Sequence, residues 1–339
     1  MSFERSVISC KNIWKVFGAD PAGYLAKMPP DRSFNDMRDD GYIAGVRDVS
    51  LDVNKGEMLV IMGLSGSGKS TLVRCFSRLH EITSGTMEVA GQDIMAMPEK
   101  DLIELRRSKM GMVFQSFGLL PHRSVLDNVA FPLEMRGQDK HTRRERALEV
   151  IKLVGLEGRE DFFPRELSGG QQQRVGIARS LAIEPDIWFL DEPFSALDPL
   201  IRKEMQDEFL RLQQMLNKTI VFITHDFDEA LRLADRIAIM KGGVIEQCDT
   251  PDKIVLNPAT EYVRKFTEDV DKARVVRAGG LAYADQVGSG DPIDASQSVR
   301  KMARMLINDE RDFIPVTRAG KPIGALSRAE ALDILLGDQ

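Results

Sequence analysis

The stretch GLSGSGKST at residues 63–71 restricts the fold of this 339-residue chain more than any other. It matches the pattern G-x-x-x-x-G-K-[ST] and lies between an apolar run, MLVIM at 58–62, and a helix-like segment that starts TLVRCF. Glycines let the backbone curl so that its N–H groups point at phosphate oxygens, and the start of a helix adds partial positive charge. The sequence therefore predicts a strand–loop–helix unit that binds a nucleotide. The residues assigned to the nucleotide are Gly63, Ser65, Gly66, Gly68, Lys69, Ser70 and Thr71.

Lys69 and Ser70 have distinct tasks in such a loop, because the lysine reaches the β- and γ-phosphates and the serine hydroxyl holds Mg²⁺. Two carboxylates follow a second apolar run, DIWFL at 186–190. Ligands bind at the carboxyl ends of strands in open α/β sheets, so Asp191 is predicted to reach the Mg²⁺. Glu192 points differently and is predicted to deprotonate an attacking water. Taken alone, this acidic pair could also begin a solvated loop.

Two further polar residues follow apolar runs that are predicted to be buried strands. His225 follows TIVFIT at 219–224, and Gln115 follows GMVF at 111–114. We predict that a neutral His225 contacts the γ-phosphate and the water, and that the Gln115 amide reaches Mg²⁺ and the water. A histidine bonded to backbone and a surface glutamine are the alternatives. The candidate catalytic residues are Glu192, His225, Lys69 and Gln115, and the candidate Mg²⁺ ligands are Ser70, Gln115 and Asp191.

A second glycine loop, LSGGQ at 167–171, has no lysine and follows no apolar strand. One nucleotide cannot be gripped by two phosphate loops of a single compact sheet. We therefore predict that this loop caps the γ-phosphate of a nucleotide held by a second copy of the chain. A helix that starts near Gln171 is expected to face the same phosphate. The residues assigned to this contact are Ser168, Gly169, Gly170 and Gln171.

Apolar strands alternate with helix-like segments, which predicts an α/β fold with a mostly parallel sheet. The chain has 46 basic and 52 acidic residues and a net charge of −6, a balance that does not favour a nucleic-acid partner. Its three cysteines have no paired spacing and are expected to be reduced thiols. No run is apolar enough to cross a bilayer and no signal peptide is recognised. Any work at a membrane is therefore expected from the cytosolic side, through a partner.

Local patterns predict how the chain is organised. The run SVISCKNIWKVF at 6–17 is predicted to form an edge strand, and the Gly-, Pro- and Asp-rich residues 18–45 an irregular insertion with one short helix. Thr142-x-x-Glu145 has the form of a capping box at the start of a helix. The predicted domains are an ATPase domain at 1–267 with a helical subdomain at about 116–170, a linker at 268–290 and a small α/β domain at 291–339.

These motifs, in this order, resemble those of the nucleotide-binding subunits of ATP-binding-cassette (ABC) transporters, over about residues 5–265. The resemblance implies a P-loop NTPase cassette with a mostly parallel sheet core, an antiparallel β subdomain and a helical subdomain. It also implies ATP and Mg²⁺ as cofactors. The positions that it assigns are Walker A at 63–71, the Q-loop at Gln115, the signature at 167–171, Walker B at 187–191, Glu192 as catalytic base, the D-loop at 195–198 with Asp198 at the nucleotide, the switch histidine at His225, and Phe17 as the aromatic that stacks on adenine.

Within that family the chain is similar to the quaternary-amine importers, through IMGLSGSGKST, VFQSFGLLPH, FSALDPLIRKEMQDE and ITHDFDEALRLADRIAIM. The resemblance implies an ATPase that powers uptake of glycine betaine, proline betaine, choline or proline. It further implies two copies of the chain, a separate membrane permease, an indirect extracytoplasmic solute-binding protein, and a peripheral place on the cytoplasmic face of the membrane. Residues 313–325 and the helix after them resemble one cystathionine-β-synthase (CBS) motif, either regulatory or dimerising.

Other functions remain compatible with these motifs. An importer ATPase for an amino acid such as histidine is one alternative, and a soluble ABC ATPase that acts outside transport is a second. A P-loop kinase that phosphorylates a small molecule is a third, although LSGGQ has no task in that mechanism. The cargo itself cannot be read from the chain, because a cassette of this family does not touch it.

Overall fold

The computed structural model describes residues 6–28, 34–114 and 118–337. Contacts divide the chain into two compact units, which are described separately. The first comprises residues 1–229 and 240–245, and the second comprises residues 230–239 and 246–339. This division groups residues 246–267 with the tail, whereas the sequence placed them in the ATPase domain. In the described ranges, no helix is long and apolar enough to span a membrane.

The first unit contains an antiparallel sheet. Its strands are β1 (Ser6–Phe17), β2 (Ile43–Asn54), β4 (Ser84–Val89) and β5 (Gln92–Asp93). The strand order is β2-β1-β4-β5, so the prediction of an edge strand at 6–17 is wrong. Because β1 pairs with β2 on one side and with β4 on the other, it is an internal strand. Its buried side chains are Ile8, Cys10, Ile13 and Val16.

The insertion between β1 and β2 is more regular and shorter than predicted. It contains two helices, α1 (Pro21–Lys27) and α2 (Phe34–Asp39), where one was expected, and residues 43–45 already belong to β2. The Asp20 carboxylate caps α1 by accepting the Gly23 N–H at 3.0 Å. The rings of Tyr24 and Tyr42 stack with centroids 4.1 Å apart, which ties α1 to the segment before β2.

The six-stranded sheet is the mostly parallel sheet that the sequence predicted. Its strands are β3 (Met58–Met62), β6 (Met110–Val113), β7 (Ile187–Asp191), β8 (Thr219–Thr224), β9 (Arg236–Lys241) and β10 (Val244–Asp249), in the order β10-β9-β3-β8-β7-β6. The pairs β3/β8, β7/β8 and β6/β7 are parallel. Every residue of β3, β7 and β8 is buried, which explains why these strands read as continuous apolar runs.

Helices follow most of these strands. They are α3 (Lys69–Phe76), α4 (Glu99–Lys109), α5 (Val125–Met135), α6 (Lys140–Leu153), α7 (Gly169–Leu181), α8 (Pro199–Leu216) and α9 (Phe227–Leu233). The predicted start of α6 is wrong, because the cap is Asp139 and not Thr142. The Asp139 carboxylate accepts the N–H groups of His141 and Thr142 at 3.0 and 3.1 Å, so Thr142 lies inside the first turn.

The three cysteines are free thiols. Cys10 and Cys75 are buried, and burial raises the pKa of each thiol to about 12. A buried thiol with such a pKa is protonated at neutral pH and therefore unreactive.

The second unit ends in a small α/β module. Its helices after β10 are α10 (Pro251–Leu256), α11 (Glu261–Thr267), α12 (Lys272–Val275), α13 (Val299–Asn308) and α14 (Arg328–Leu336). Its strands are β11 (Ala282–Tyr283), β12 (Ile293–Asp294), β13 (Phe313–Arg318) and β14 (Lys321–Ser327). They form a sheet in the order β11-β14-β13-β12, with β12 and β13 parallel.

The linker predicted at 268–290 is part of this module, so that prediction is wrong. Ala273, Val276, Ala278 and Leu281 are buried in one apolar cluster with residues of α13, β13 and β14. The sequence did not predict this core contribution, because the apolar residues are few, small and separated by glycines, without the period of a helix or a strand.

A pair of valines within 268–290 tests this correction. Val276→Ala is expected to lower the free energy of unfolding of the second unit by about 2 kcal/mol, because it removes two buried methyl groups. Val287 is 91% exposed, and Val287→Ala is expected to change the free energy of unfolding by less than about 0.5 kcal/mol. Native-state hydrogen exchange of the α13 and β13 amides in the full chain measures both. Equal effects of the two substitutions would restore the linker interpretation.

Candidate nucleotide-binding site

The loop between β3 and α3 needs glycine at two positions of close backbone approach. A Cβ on Gly63 would lie 2.2 Å from the Met240 carbonyl oxygen, and a Cβ on Gly68 would lie 2.1 Å from that of Gly45. Both glycines have positive φ, +151° and +105°. Gly66, at φ +79°, has no atom within 4 Å of a Cβ position, so this part of the loop faces open space. The loop is therefore a tight turn with one open side.

Lys69 begins α3 and its side chain is folded into the loop. Its Nζ donates to the carbonyl oxygens of Gly63 and Leu64 at 2.7 and 3.1 Å. Lys69 is only 6% exposed, and this burial lowers the pKa of its ammonium, while Glu192 and Asp191 oppose the shift. An ammonium has three N–H donors, so the one left over fits a phosphate oxygen in the open side of the loop.

Ser70 and Asp191, two of the predicted Mg²⁺ ligands, are in direct contact. The Ser70 hydroxyl donates to the Asp191 carboxylate at 3.0 Å, which joins the start of α3 to the end of β7. Burial raises the pKa of the Asp191 carboxyl, and the Ser70 hydrogen bond opposes that shift. A hydroxyl and a carboxylate are oxygen donors of the kind that Mg²⁺ prefers, so the residues present fit this ion. Ser67 adds a buried hydroxyl that has no partner among the described residues.

Glu192 and His225 meet at the carboxyl edge of the sheet. The Glu192 N–H donates to the Ile223 carbonyl at 3.1 Å, and its backbone has the left-handed φ of +46°, which is unusual for a non-glycine residue. This conformation directs the carboxylate to His225, whose Nδ1 lies 3.2 Å from Glu192 Oε2. The His225 side chain is 57% exposed and the Glu192 side chain 18%. A carboxylate and an imidazole are thus paired near Lys69.

Phe17 lies at the end of β1, next to α3. A Cβ on Gly45 would lie 3.1 Å from the Phe17 ring and 2.8 Å from the Thr71 methyl group, so Gly45 separates the two side chains narrowly. The ring is 36% exposed. Lys15 Nζ is 4.8 Å from its centroid, and the His80 ring meets it edge-on at 5.5 Å. An exposed aromatic beside the phosphate loop suits a stacked base.

The second glycine loop presents the start of α7 to solvent. Ser168 and Gly169 are exposed, whereas Gly170 is buried and leaves only 2.7 Å between a Cβ position and the Ile201 side chain. The Ser168 hydroxyl accepts the Gln171 N–H, and the Gln171 side chain accepts the Ser168 N–H, a capping box. The helix starts at Gly169, two residues before the predicted start. Within the described part of the chain, the hydrogen bonds of Ser168 and Gln171 stay in this turn.

The segment 195–198 returns to Glu192. The Ser195 hydroxyl donates to the Glu192 carbonyl at 3.0 Å, and Asp198 caps α8 by accepting the Ile201 N–H at 3.1 Å. Asp198 is exposed. Gln115, the last predicted site residue, lies outside the described residues.

Sequence reasoning missed two charged residues at this site. Arg202, in the first turn of α8, pairs with Asp226, which directly follows His225, at 3.4 Å. The available signal was the aspartate itself, since Asp226 directly precedes α9, a position that favours an N-cap. Its arginine partner lies 24 residues away and no local pattern identifies it.

The chain is similar to ABC transporter proteins. The family model for ABC transporters matches residues 46–195. The chain is 78% identical over 330 residues to the trimethylamine N-oxide transport system ATP-binding protein TmoW of Ruegeria pomeroyi, covering 97% of each chain. It is 46% identical to the glycine betaine/proline betaine transport system ATP-binding protein ProV of Escherichia coli, over 94% of this chain and 80% of that one.

Among solved structures, the dimeric post-hydrolysis state of the ATP-binding cassette MJ0796 bound to ADP and Pi matches 72% of this chain and 98% of its own. The TM-score is 0.60 and the identity 33%. Together with the phosphate loop, the carboxylate pair and the histidine, these similarities show that the chain belongs to the ABC transporter family, as an ATP-binding subunit of the quaternary-amine importer branch.

Proposed function

We propose that this chain hydrolyses ATP to drive uptake of trimethylamine N-oxide through a separate membrane permease. The observation that supports hydrolysis is the Glu192–His225 pair beside Lys69 and the Ser70–Asp191 pair. The proposed cargo is taken from the relative that is named as a trimethylamine N-oxide transport protein. That relative is far more similar to this chain than the betaine-transport relative is. Glycine betaine, proline betaine and choline carry the same methylated, positively charged nitrogen and are the competing cargoes.

The nucleotide is held by residues of three elements. The N–H groups of the loop at 63–68 and the Lys69 ammonium bind the β- and γ-phosphates, and Phe17 stacks on the adenine. Ser70 and Asp191 hold Mg²⁺, with Gln115 as a further ligand. When bound, the ion neutralises the charge that develops on the transferred phosphoryl group. Because this reaction needs alignment and charge neutralisation more than covalent chemistry, a buried lysine and fixed oxygens suffice.

Glu192 acts as the general base on the attacking water, and His225 orients it. A neutral His225 that donates from Nδ1 to Glu192 can only accept at Nε2. Contact of Nε2 with a phosphate oxygen therefore requires the protonated ring, and contact with the water O–H requires the neutral one. The pair thus has two hydrogen-bonding states, which differ by one proton on the His225 ring.

The exposed start of α7 caps the γ-phosphate of a nucleotide bound to a second copy of the chain. This proposal is supported by the exposure of Ser168 and Gly169 and by hydrogen bonds that leave the loop's open face to a partner. A related cassette is described as dimeric with ADP and Pi bound. Closure of the two copies on ATP, and release after hydrolysis, is the motion that drives transport.

The permease contacts the loop before α5, near His122. Asn128, wholly buried on α5, holds that loop through four hydrogen bonds to the backbone of Leu120, Arg123 and Ser124. A loop fixed in this way transmits force without deforming. The chain works at the cytoplasmic face of the membrane, receives no nucleic acid, and meets the extracytoplasmic binding protein only through the permease. The CBS-like tail regulates or dimerises the subunit.

Glu192→Gln tests the base. It is expected to reduce phosphate release by roughly a hundredfold to ten-thousandfold, because the amide cannot take a proton. ATP binding should persist and the ATP-bound dimer should accumulate, as seen by gel filtration. Glu88→Gln, at an exposed position of β4, is the matched control and should be fully active. Wild-type turnover in Glu192→Gln would remove Glu192 from this role.

Mixed dimers test the shared site. A dimer of Lys69→Ala with Ser168→Arg has one intact composite site if the signature acts on the other copy, and none if it acts within its own copy. We expect about half of wild-type phosphate release. The reciprocal dimer, wild type with the double variant, is expected to be inactive. Activity in the second dimer and not in the first would contradict the shared arrangement.

Uptake by cells tests the cargo. Cells that contain the complete transport system and wild-type chain should accumulate labelled trimethylamine N-oxide, and cells with Glu192→Gln should not. Labelled glycine betaine, choline and histidine are measured in parallel and as competitors. Loss of betaine or choline uptake alone would reassign the cargo within the branch, and loss of histidine uptake alone would favour the amino-acid alternative.

A further inference from the structure

Arg202 bridges two segments that border the proposed catalytic pair. It lies in the first turn of α8, four residues after Asp198. One guanidinium nitrogen, Nη1, lies 3.4 Å from Asp226 Oδ2, and the other, Nη2, donates to the Leu197 carbonyl at 3.2 Å. One planar side chain therefore contacts both the segment 195–198 and the residue next to His225. A guanidinium can do this because its donors point in fixed, divergent directions.

Asp226 is held in place on its other side. Its N–H donates to the Thr224 hydroxyl at 3.0 Å, and its Oδ1 accepts the Glu229 N–H at 3.0 Å. The first contact fixes the backbone around His225, and the second caps α9. With Oδ1 engaged, Oδ2 is the oxygen directed at Arg202. The carboxylate thus has one orientation, set by the start of α9.

A second contact one turn along repeats the link between α8 and α9. Gln206 Nε2 donates to Glu229 Oε1 at 2.9 Å, and both side chains are nearly fully buried. Burial raises the pKa of the Glu229 carboxyl. Two consecutive turns of α8 therefore contact the start of α9, through Arg202 and Gln206. A shift of one helix would displace the other.

These contacts close a ring around Glu192. Ser195 donates to the Glu192 carbonyl, and Leu197, two residues on, accepts from Arg202. Arg202 pairs with Asp226, the neighbour of His225, and His225 returns to the Glu192 carboxylate. Residues of this ring, together with Phe194, Thr224 and Glu229, line a small cavity. Within this ring, the Arg202 side chain contacts both the segment 195–198 and Asp226.

We propose that Arg202, through Asp226 and the Leu197 carbonyl, is a positioning residue that holds His225 against Glu192 and couples both to the segment 195–198. The inference rests on the proposed roles of Glu192 and His225 in hydrolysis. The contacts of Arg202 do not include Lys69, Ser70 or Phe17. Arg202 therefore affects turnover and leaves nucleotide binding unchanged. Movement of the segment 195–198 at a dimer interface then reaches the catalytic pair through one side chain.

Steady-state phosphate release by three variants of the full chain tests this bridge. Arg202→Met and Asp226→Asn are each expected to lower kcat by about ten- to a hundredfold, because the catalytic pair loses its alignment. The KM for ATP should stay within about twofold of wild type. Arg202→Lys keeps the charge but cannot span both acceptors, and its kcat should fall between those of wild type and Arg202→Met. Arg211→Met, on an exposed part of the same helix, is the control and should match wild type.

The double variant Arg202→Met/Asp226→Asn separates positioning from general destabilisation. If the two residues act as one bridge, the double variant is no slower than either single variant. The pH dependence of kcat should also change in the single variants, because the Glu192–His225 pair is no longer held. Additive losses, a wild-type kcat in Arg202→Met, or a rise of KM without loss of kcat would overturn the inference. If Arg202→Met fails to fold, Asp226→Asn, which conserves shape, gives the same test.

Failure of this inference is distinguishable from failure of the proposed function. Glu192→Gln is measured beside the variants. If it is inactive while Arg202→Met is fully active, the bridge alone is refuted. If Glu192→Gln is fully active, the catalytic assignment fails, and the bridge as proposed fails with it.

Discussion

Parallel pairing of β8 with β3 on one side and β7 on the other is the constraint on which the site depends. Met62 pairs with Thr224 and Asp191 pairs with Ile223, so three strands end at the same level. The phosphate loop, the carboxylates and His225 follow directly from those ends. Residues that are far apart in sequence therefore meet without any long side chain reaching across the fold, as expected at the carboxyl edge of an open α/β sheet.

The side chains at that edge include charged groups whose burial is unfavourable. Burial lowers the pKa of Lys69 and raises that of Asp191, so each group alone would tend to lose its charge. The two groups partly offset each other, and the Ser70 hydroxyl and the loop carbonyls supply the remaining hydrogen bonds. The left-handed Glu192 adds backbone strain at the same place. The rigid sheet beneath holds the charges and the strain together.

The sequence predicted the parts of the fold that depend on local pattern. Wholly buried strands such as β3, β7 and β8 are continuous apolar runs. It could not show that β1 is internal, because partners of a strand come from distant residues. It also missed the core of the second unit in 268–290, where sparse apolar residues have no period, and the Arg202–Asp226 pair, which only the folded chain brings together.

The exposed start of α7 has a consequence for a subunit on its own. If each catalytic site is completed by the start of α7 of a second copy, dilute free subunits hydrolyse ATP at a rate that rises with the square of their concentration. Docking two copies side by side on a permease replaces this encounter with a high local concentration. ATP hydrolysis then depends on assembly of the transporter. Unassembled subunits hydrolyse little ATP, and no separate inhibitor is needed to keep them inactive.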